Sequence, residues 1–464
     1  MVTLLLACTG GAALPPGDAA RPDVVLVSID SLRPDHLGSY GNPRDVSPFL
    51  DELAAAGRRF DNAWAMSPWT LPSHVTMLSG QGPLVHNVIE DDRQIPAGLP
   101  MVTEGIRAAG YATAGFVSTV YVSAKYGFDR GFDHYEDFGI GEGTNLKRQV
   151  NAERVVDEAL AWAEGTGGKP IFLFVHLYDV HYPYLPPEPY NYRYDKPGTK
   201  KSTRYRNYAF YKANPLKPKQ LDHQRAQYDE CIRYVDDQLR RLSEAFAAAG
   251  RRPTWVVTAD HGEEFGERGS WGHAHTLHPE VMRVPMIVTG VAPAVVSDRV
   301  GPIDVAATLA DVAGGSFPSG GVSLLGNIPA ARDWPMETSR FDTAKFGLVH
   351  GEARVEFDGD HAVLYDWITD PAERAPRPTD PAWATRAAAL LGTPWTATGP
   401  VTTPATLWDG QGPVGHQVDG TAPFGVYPPD AALLGPATRT PPLPPPLALD
   451  AATREQLEAL GYQQ

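Results

Sequence analysis

Between residues 24 and 315, short apolar runs alternate with longer stretches whose apolar residues recur every three or four positions. "DVVLVSID", "YATAGFVS", "KPIFLFVHLYD", "TWVVTAD" and "VPMIVTG" are rich in β-branched residues, the pattern of strands covered on both faces. Between them, "SPFLDELAAAG", "MVTEGIRAAG", residues 150–164, "QRAQYDECIRYVDDQLRRLSEAFAAAG" and "PIDVAATLADVAG" carry helical spacing. Ser47-Pro48 and Gly57 mark the start and stop of the first of these. Alternating strand and helix predict an α/β fold over residues 21–330, a mainly parallel sheet with helices on both faces.

The pattern then changes. "LVHGEARVEFDGDHAVLYDWITDP" has two alternating runs around an Asp-Gly pair, which predicts a small antiparallel β subdomain over 331–374. Residues 375–464 are rich in Pro, Ala and Thr and include "TRTPPLPPPLALD", the composition of an extended tail, here with a short terminal helix. Residues 184–218, dense in Tyr, Pro, Lys and Arg, predict a surface loop over one end of the sheet.

At 464 residues the chain is long for one core, which fits a large domain with a smaller appendage. There are 55 acidic against 40 basic residues, a formal net charge of −15. Such a surface repels nucleic acid and anionic membrane, and both are set aside as main partners. An anionic substrate then needs local positive charge, which a bound metal ion supplies. Residues 1–20, "MVTLLLACTGGAALPPGDAA", resemble a bacterial lipoprotein signal and linker with Cys8 as the acylated residue, although the basic start of such signals is missing. The resemblance implies export to the cell envelope and anchoring through a lipid on Cys8. The apolar run is too short to span a bilayer. Cys231, on a predicted helix, reads as a small buried hydrophobe, and two cysteines so placed make no disulfide framework.

Ligands of open α/β sheets gather at the carboxyl ends of the strands. "VVLVSID" ends at Asp30, "IFLFVHLYD" leads into His176, Asp179 and His181, and "TWVVTADHGEE" ends at Asp260 and His261. One Asp after a strand often only caps the next helix. Three strand ends presenting Asp or His together suit a divalent cation. "SPWTLPSHVTMLSG" is harder to read, because Thr70, Pro72 and Ser73 are also what an ordinary helix start contains.

Taken together, Asp30 in "VSIDSLRPDHLGSYG", Thr70 in "TLPSHVTMLSG", "HLYDVHYPYLPP" and "TADHGEEFGERGSWGHAHTLHPEVMRVPMIV" resemble the sulfatase branch of the alkaline phosphatase superfamily. Order and spacing match over roughly residues 21–315, and "LYDWITDPAE" and "LEALGYQQ" resemble the closing segments of bacterial members. The resemblance implies an alkaline-phosphatase-like sandwich and a metal-dependent ester hydrolase. It implies a metal site of Asp30, Thr70, Asp260 and His261, holding calcium, magnesium, manganese or zinc. His181, His273 and His275 would act on the transferred group and leaving oxygen, and His74 and Asp179 would contact substrate. In the alternative arrangement, Asp179, His181 and His275 hold a second metal. His86, His134, His223 and His350 have no supporting context and read as structural or solvated.

The chain also departs from the family pattern. Sulfatases carry Cys or Ser in Cys/Ser-x-Pro-x-Arg, oxidised to formylglycine; here the positions are Thr70, Pro72 and His74. Thr has a methyl on its β-carbon and cannot become that aldehyde. Ser67 does not restore the signature, since Trp69 stands where Pro is required. Ser31 replaces a second Asp, and Ser118 and Thr119 stand where a Lys/His sulfate clamp is expected. The expectation is therefore a Thr70 nucleophile acting on a small anionic phosphate-type ester, a diester or phosphonate monoester. Sulfate-ester hydrolysis without formylglycine, transfer to another hydroxyl, and a silent binding protein are the alternatives.

Overall fold

The computed structural model describes residues 14–18, 21–139, 150–196, 208–340, 345–358 and 361–378, with a few isolated positions beyond. Cys8 and the expected terminal helix lie outside the described residues, as does nearly all of the Pro-rich tail. No helix among the described residues is long and apolar enough to cross a membrane.

Among the described residues, ten strands precede residue 300. They are β1 (Val24–Ile29), β2 (Arg58–Phe60), β3 (Ala112–Val117), β4 (His134–Glu136), β5 (Ile171–Leu177), β6 (Thr254–Thr258), β7 (Glu264–Phe265), β8 (Trp271–Gly272), β9 (Met286–Val288) and β10 (Ala294–Val296). Eight of them form one sheet in the order β10-β2-β9-β6-β1-β5-β3-β4, while β7 and β8 form a separate two-stranded ribbon. Every residue of β1 and β5 is buried, so these strands read as near-continuous apolar runs, broken only at Ser28 and His176 near their carboxyl ends.

Only β9 departs from the parallel direction, running antiparallel to both β6 and β2. An antiparallel return needs no crossover helix. The chain uses the freed length between β6 and β9 for the ribbon and the loop that carries His273 and His275.

The main helices are α1 (Pro48–Ala56), α2 (Thr70–Ser79), α3 (Val102–Ala108), α4 (Ala152–Glu164), α5 (Pro218–Ala248) and α6 (Ile303–Val312). One layer is α1 and α4 packed on α5, the other α2 and α3 packed on α6. Cys231 is buried on α5. The Tyr-rich segment leaves Tyr190, Tyr192 and Tyr194 partly exposed but buries Tyr184 and Tyr211, as it does Tyr182 just before it. The three buried rings pack on one another and on Trp271 and Phe265, so the aromatic content that marks the segment covers the end of the sheet.

A second sheet, antiparallel throughout, comprises β11 (Trp334–Thr338), β12 (Lys345–His350), β13 (Ala353–Asp358), β14 (His361–Asp366) and β15 (Arg377–Pro378). It encloses its own small core of Phe346, Leu348, Val355 and Phe357. Its first strand docks on the main domain: Trp334 Nε1 donates to Ala65 O (3.1 Å), Glu337 N to Met66 O (3.0 Å) and Thr338 Oγ1 to Ala274 O (2.8 Å). The fully buried Arg354 guanidinium binds both Glu373 oxygens and Glu356. Burial alone would raise the Glu373 carboxyl, but Arg354 and His278 outweigh it and hold it down at about 2. The subdomain thus braces the segments 63–70 and 271–278.

Candidate active site

β6, β1 and β5 are neighbours at the centre of the sheet and run parallel, so the residues just past their carboxyl ends converge. Asp30 follows β1, and Asp260 and His261 follow β6. All three are completely buried, and each offers a ligand atom within 4.8 Å of the other two. His261 Nε2 lies 3.3 Å from Asp260 Oδ2 and 3.9 Å from Asp30 Oδ1. Thr70, at the first turn of α2, places its hydroxyl 3.4 Å from Asp30 Oδ2 and 3.4 Å from His261 Nε2.

The local chain explains this convergence. Ser31 takes a left-handed conformation (φ 61°), which a non-glycine residue adopts only at a cost. In that turn Ser31 N donates to Asp260 Oδ1 (3.2 Å) and Ser31 Oγ to Asp30 Oδ1 (2.8 Å), joining the two carboxylates. The residue that stands in for a second Asp therefore supplies orientation instead of charge. His261 Nδ1 donates to Gly262 O (2.9 Å), which turns the Nε2 lone pair toward both carboxylates. Gly262 has no room for a side chain, since a Cβ there would meet Glu280 O at 2.2 Å. Trp69 is the extended residue before α2, and no side chain caps the helix, so the Thr70 hydroxyl is not engaged as a cap. Arg340 stacks on Trp69 at 4.2 Å and donates to Tyr121 OH at 2.9 Å, fixing the entry to the helix.

Burial raises both carboxyls, but they end apart. The His176, His181 and His261 rings outweigh burial at Asp30 and hold it well below the usual carboxylate range. At Asp260, burial and the adjacent Asp30 charge push the carboxyl well above it. Burial, with His273 nearby, pushes His261 down to about 3 and so leaves it neutral, the state that binds metals.

Asp260 Oδ2 is buried without a hydrogen-bond partner, facing His261 Nε2. An orphaned carboxylate oxygen, a second carboxylate, a neutral imidazole and a hydroxyl together are the donor set of a divalent cation. These residues fit the metal that the sequence implied. Among the described residues, Asp179, His181 and His275 form no second group of this kind.

The histidines divide. His273 packs against His261 with ring centroids 4.3 Å apart and planes tilted by 32°, and meets His181 edge-on at 4.9 Å, so these two flank the metal residues. His181 is oriented by Tyr182 O at 2.5 Å from Nδ1 and by Tyr178 OH at 3.2 Å from Nε2. His275 points elsewhere, with Nε2 2.6 Å from Ser270 Oγ and 3.3 Å from Glu264 Oε2. Ala274, left-handed at φ 73°, separates the two directions. His74 lies beneath Thr70: its Nδ1 is 2.8 Å from Thr70 O and its Nε2 2.9 Å from Ser28 Oγ. It braces the first turn of α2 and is not placed to meet a substrate. Burial, and with it the charge of Asp179, raises the Tyr234 hydroxyl on α5 above its ordinary range.

Ser118, in place of the sulfate clamp, is taken up by the backbone: its hydroxyl donates to His176 O (2.8 Å) and accepts from Tyr178 N (3.0 Å). Sequence reasoning missed Glu263, fully buried, which holds His273 Nδ1 at 2.8 Å. Its only signal was an acidic residue two places after His261. His176, at a strand end but with no role implied by the sequence, has its Nε2 3.4 Å from Asp30 Oδ2.

This geometry has relatives. At 25% identity over 329 residues, 58% of this chain and 62% of the relative, the chain is similar to the uncharacterised sulfatase YidJ of Escherichia coli (strain K12). It is 35% identical to bovine (Bos taurus) arylsulfatase A over 119 residues, 24% of this chain and 22% of that one. The chain thus covers less than two thirds of the length of either. The solved phosphonate monoester hydrolase of Agrobacterium radiobacter superposes with a TM-score of 0.65 at 20% identity, covering 79% of this chain and 93% of that one, which shows the shared fold. A model of the Sulfatase family matches residues 22–316, spanning the central sheet and every metal-site residue; the chain belongs to that family.

Proposed function

We propose that this chain is a metal-dependent hydrolase of phosphate-type esters, a phosphodiesterase or phosphonate monoester hydrolase with Thr70 as nucleophile. The observation that carries this reading is the Thr70 hydroxyl itself, buried at the start of α2 between Asp30 and His261. A threonine is closed to formylglycine chemistry but open to direct attack. Asp30, Asp260, His261 and Thr70 would hold the cation, which supplies Lewis acidity at the ester oxygens and lowers the hydroxyl's pKa. Thr70 Oγ1 passes its proton to solvent water and attacks phosphorus in line, helped by the amide N–H groups that open α2. As the Thr70 O–P bond forms, the bond to the leaving oxygen breaks. That oxygen takes a proton from His273, with His181 beside it. Water, deprotonated by the same imidazole, then cleaves the phosphothreonine, and the departing Thr70 Oγ1 regains its proton from solvent water.

A second reading is sulfate-ester hydrolysis without formylglycine. It is supported by the curated relatives, which are sulfatases by name. Hydrolysis of an aryl phosphate monoester, diester, phosphonate monoester and sulfate, each with calcium, magnesium, manganese and zinc, separates the two. The expected result is fastest turnover of the diester or phosphonate. A rate highest on the sulfate ester overturns the proposal.

Export and lipid attachment at Cys8 form a further part of the proposal, motivated by Leu-Leu-Ala-Cys and the small-residue linker after it. Expressed with its true upstream start in a bacterium that processes lipoproteins, the chain is expected to begin at a diacylated Cys8 and to fractionate with membranes. Intact mass showing an unmodified Met1 in the membrane-free fraction would refute this.

A further inference from the structure

Glu263 has no part in the metal site, yet it is as deeply buried as the ligands. Its position follows from the ribbon of β7 and β8. Glu264 pairs with Gly272 and Phe265 with Trp271, so the next opposed pair outward is Glu263 and His273. The two carboxylate oxygens are used separately: Oε1 lies 2.8 Å from His273 Nδ1, and Oε2 accepts from Tyr184 OH at 3.0 Å. Tyr184 is itself wedged against Tyr228 and Phe265, and Arg33 Nη1 donates to the Glu263 carbonyl at 2.9 Å. The carboxylate is thus held at both oxygens and along its backbone, and cannot rotate away from the imidazole.

From this geometry we propose that Glu263 is the positioning residue for His273. It fixes the ring's rotamer, keeps a proton on Nδ1, and so aims Nε2 at the space beside His261 where the leaving oxygen departs. A histidine held only by its neighbours' rings would flip between two orientations, one of which presents the wrong nitrogen. This inference rests on the proposed role of His273 in proton delivery. No electron balance changes: the Nε2 proton passes to the leaving oxygen as the P–O bond breaks and is regained from the water that attacks second.

The test compares substrates differing only in leaving group, p-nitrophenyl against the poorer phenyl, in wild type, Glu263→Gln, Glu263→Ala and His273→Ala. A departing oxygen that needs no proton is indifferent to His273, and one that does is not. Glu263→Ala is expected to lower kcat on the phenyl ester about 10²-fold, but on the p-nitrophenyl ester only a few-fold, with KM little changed. Glu263→Gln, whose amide oxygen still accepts from Nδ1, is expected to regain most of the loss. In metal-free protein, ring ¹⁵N shifts of His273 are expected to report the Nδ1–H form in wild type and a mixture of both forms in Glu263→Ala. Equal losses on both esters, or an unchanged ring spectrum, overturn the inference while His273→Ala still discriminates between esters. If His273→Ala does not discriminate either, the proton-delivery reading fails and the inference fails with it.

Discussion

Thr70→Ala is expected to abolish turnover of a phosphodiester or phosphonate monoester, a loss of at least about 10³-fold, with Thr70→Ser keeping part of the rate. The structure separates this from a stability effect. Loss of a helix cap costs about 1 kcal/mol, but the Thr70 hydroxyl is not a helix cap and, among the described residues, meets Asp30 and His261. Thermal unfolding of metal-free Thr70→Ala should therefore stay close to wild type, while its rate collapses. Thr70→Cys, coexpressed with a formylglycine-generating enzyme, should gain little sulfatase activity, because His74 replaces the signature arginine and is directed at Ser28. Unimpaired hydrolysis of aryl sulfates by Thr70→Ala would sink the nucleophile assignment.

Asp260→Asn should remove metal binding and activity together without harming the metal-free fold. In the protein without a cation, the Asp260 carboxyl is already pushed toward its protonated form by burial and by Asp30. An amide keeps its shape and relieves that repulsion, so the metal-free variant should unfold at the wild-type temperature or above. What it loses is stabilisation by ligand, about 2.7 kcal/mol when free metal is a hundredfold above Kd. The measurement is Tm with and without metal, paired with native mass spectrometry. A variant that still fills with metal, or whose Tm rises on adding it as wild type does, removes Asp260 from the ligand set.

The central strands were legible because β1 and β5 are buried on both faces and are apolar at every position but Ser28 and His176. β2, β4 and β10 have three residues each, too few to show a period, and exist because longer neighbours offer them hydrogen bonds. Asp30, Asp260 and His261 were legible for a related reason: a polar residue ending an apolar strand can only lie at the sheet's carboxyl edge. Direction was not legible. His74, matched by position to a substrate arginine, is turned inward by the Thr70 carbonyl four residues before it and by Ser28 across the sheet. His275 sits two residues from His273, yet one left-handed residue between them sends it to Glu264. The Glu263–Tyr184 contact joins residues 79 apart in sequence, and no spacing rule reports it.

The short segment Leu14–Asp18 also constrains how the protein stands. Leu14 is buried, Pro15 O accepts from Arg251 Nε at 2.6 Å, and Arg251 Nη1 binds Asp23 at 2.7 Å just ahead of β1. Arg251, Asp23 and Lys169 all lie before the strands begin, at the pole opposite Asp30 and Asp260. Any tether on the residues preceding Leu14 therefore pulls on the base of the sheet along the strand direction. Such a tether would attach at the end of the sheet away from Asp30 and Asp260, which lie past the opposite ends of the same strands.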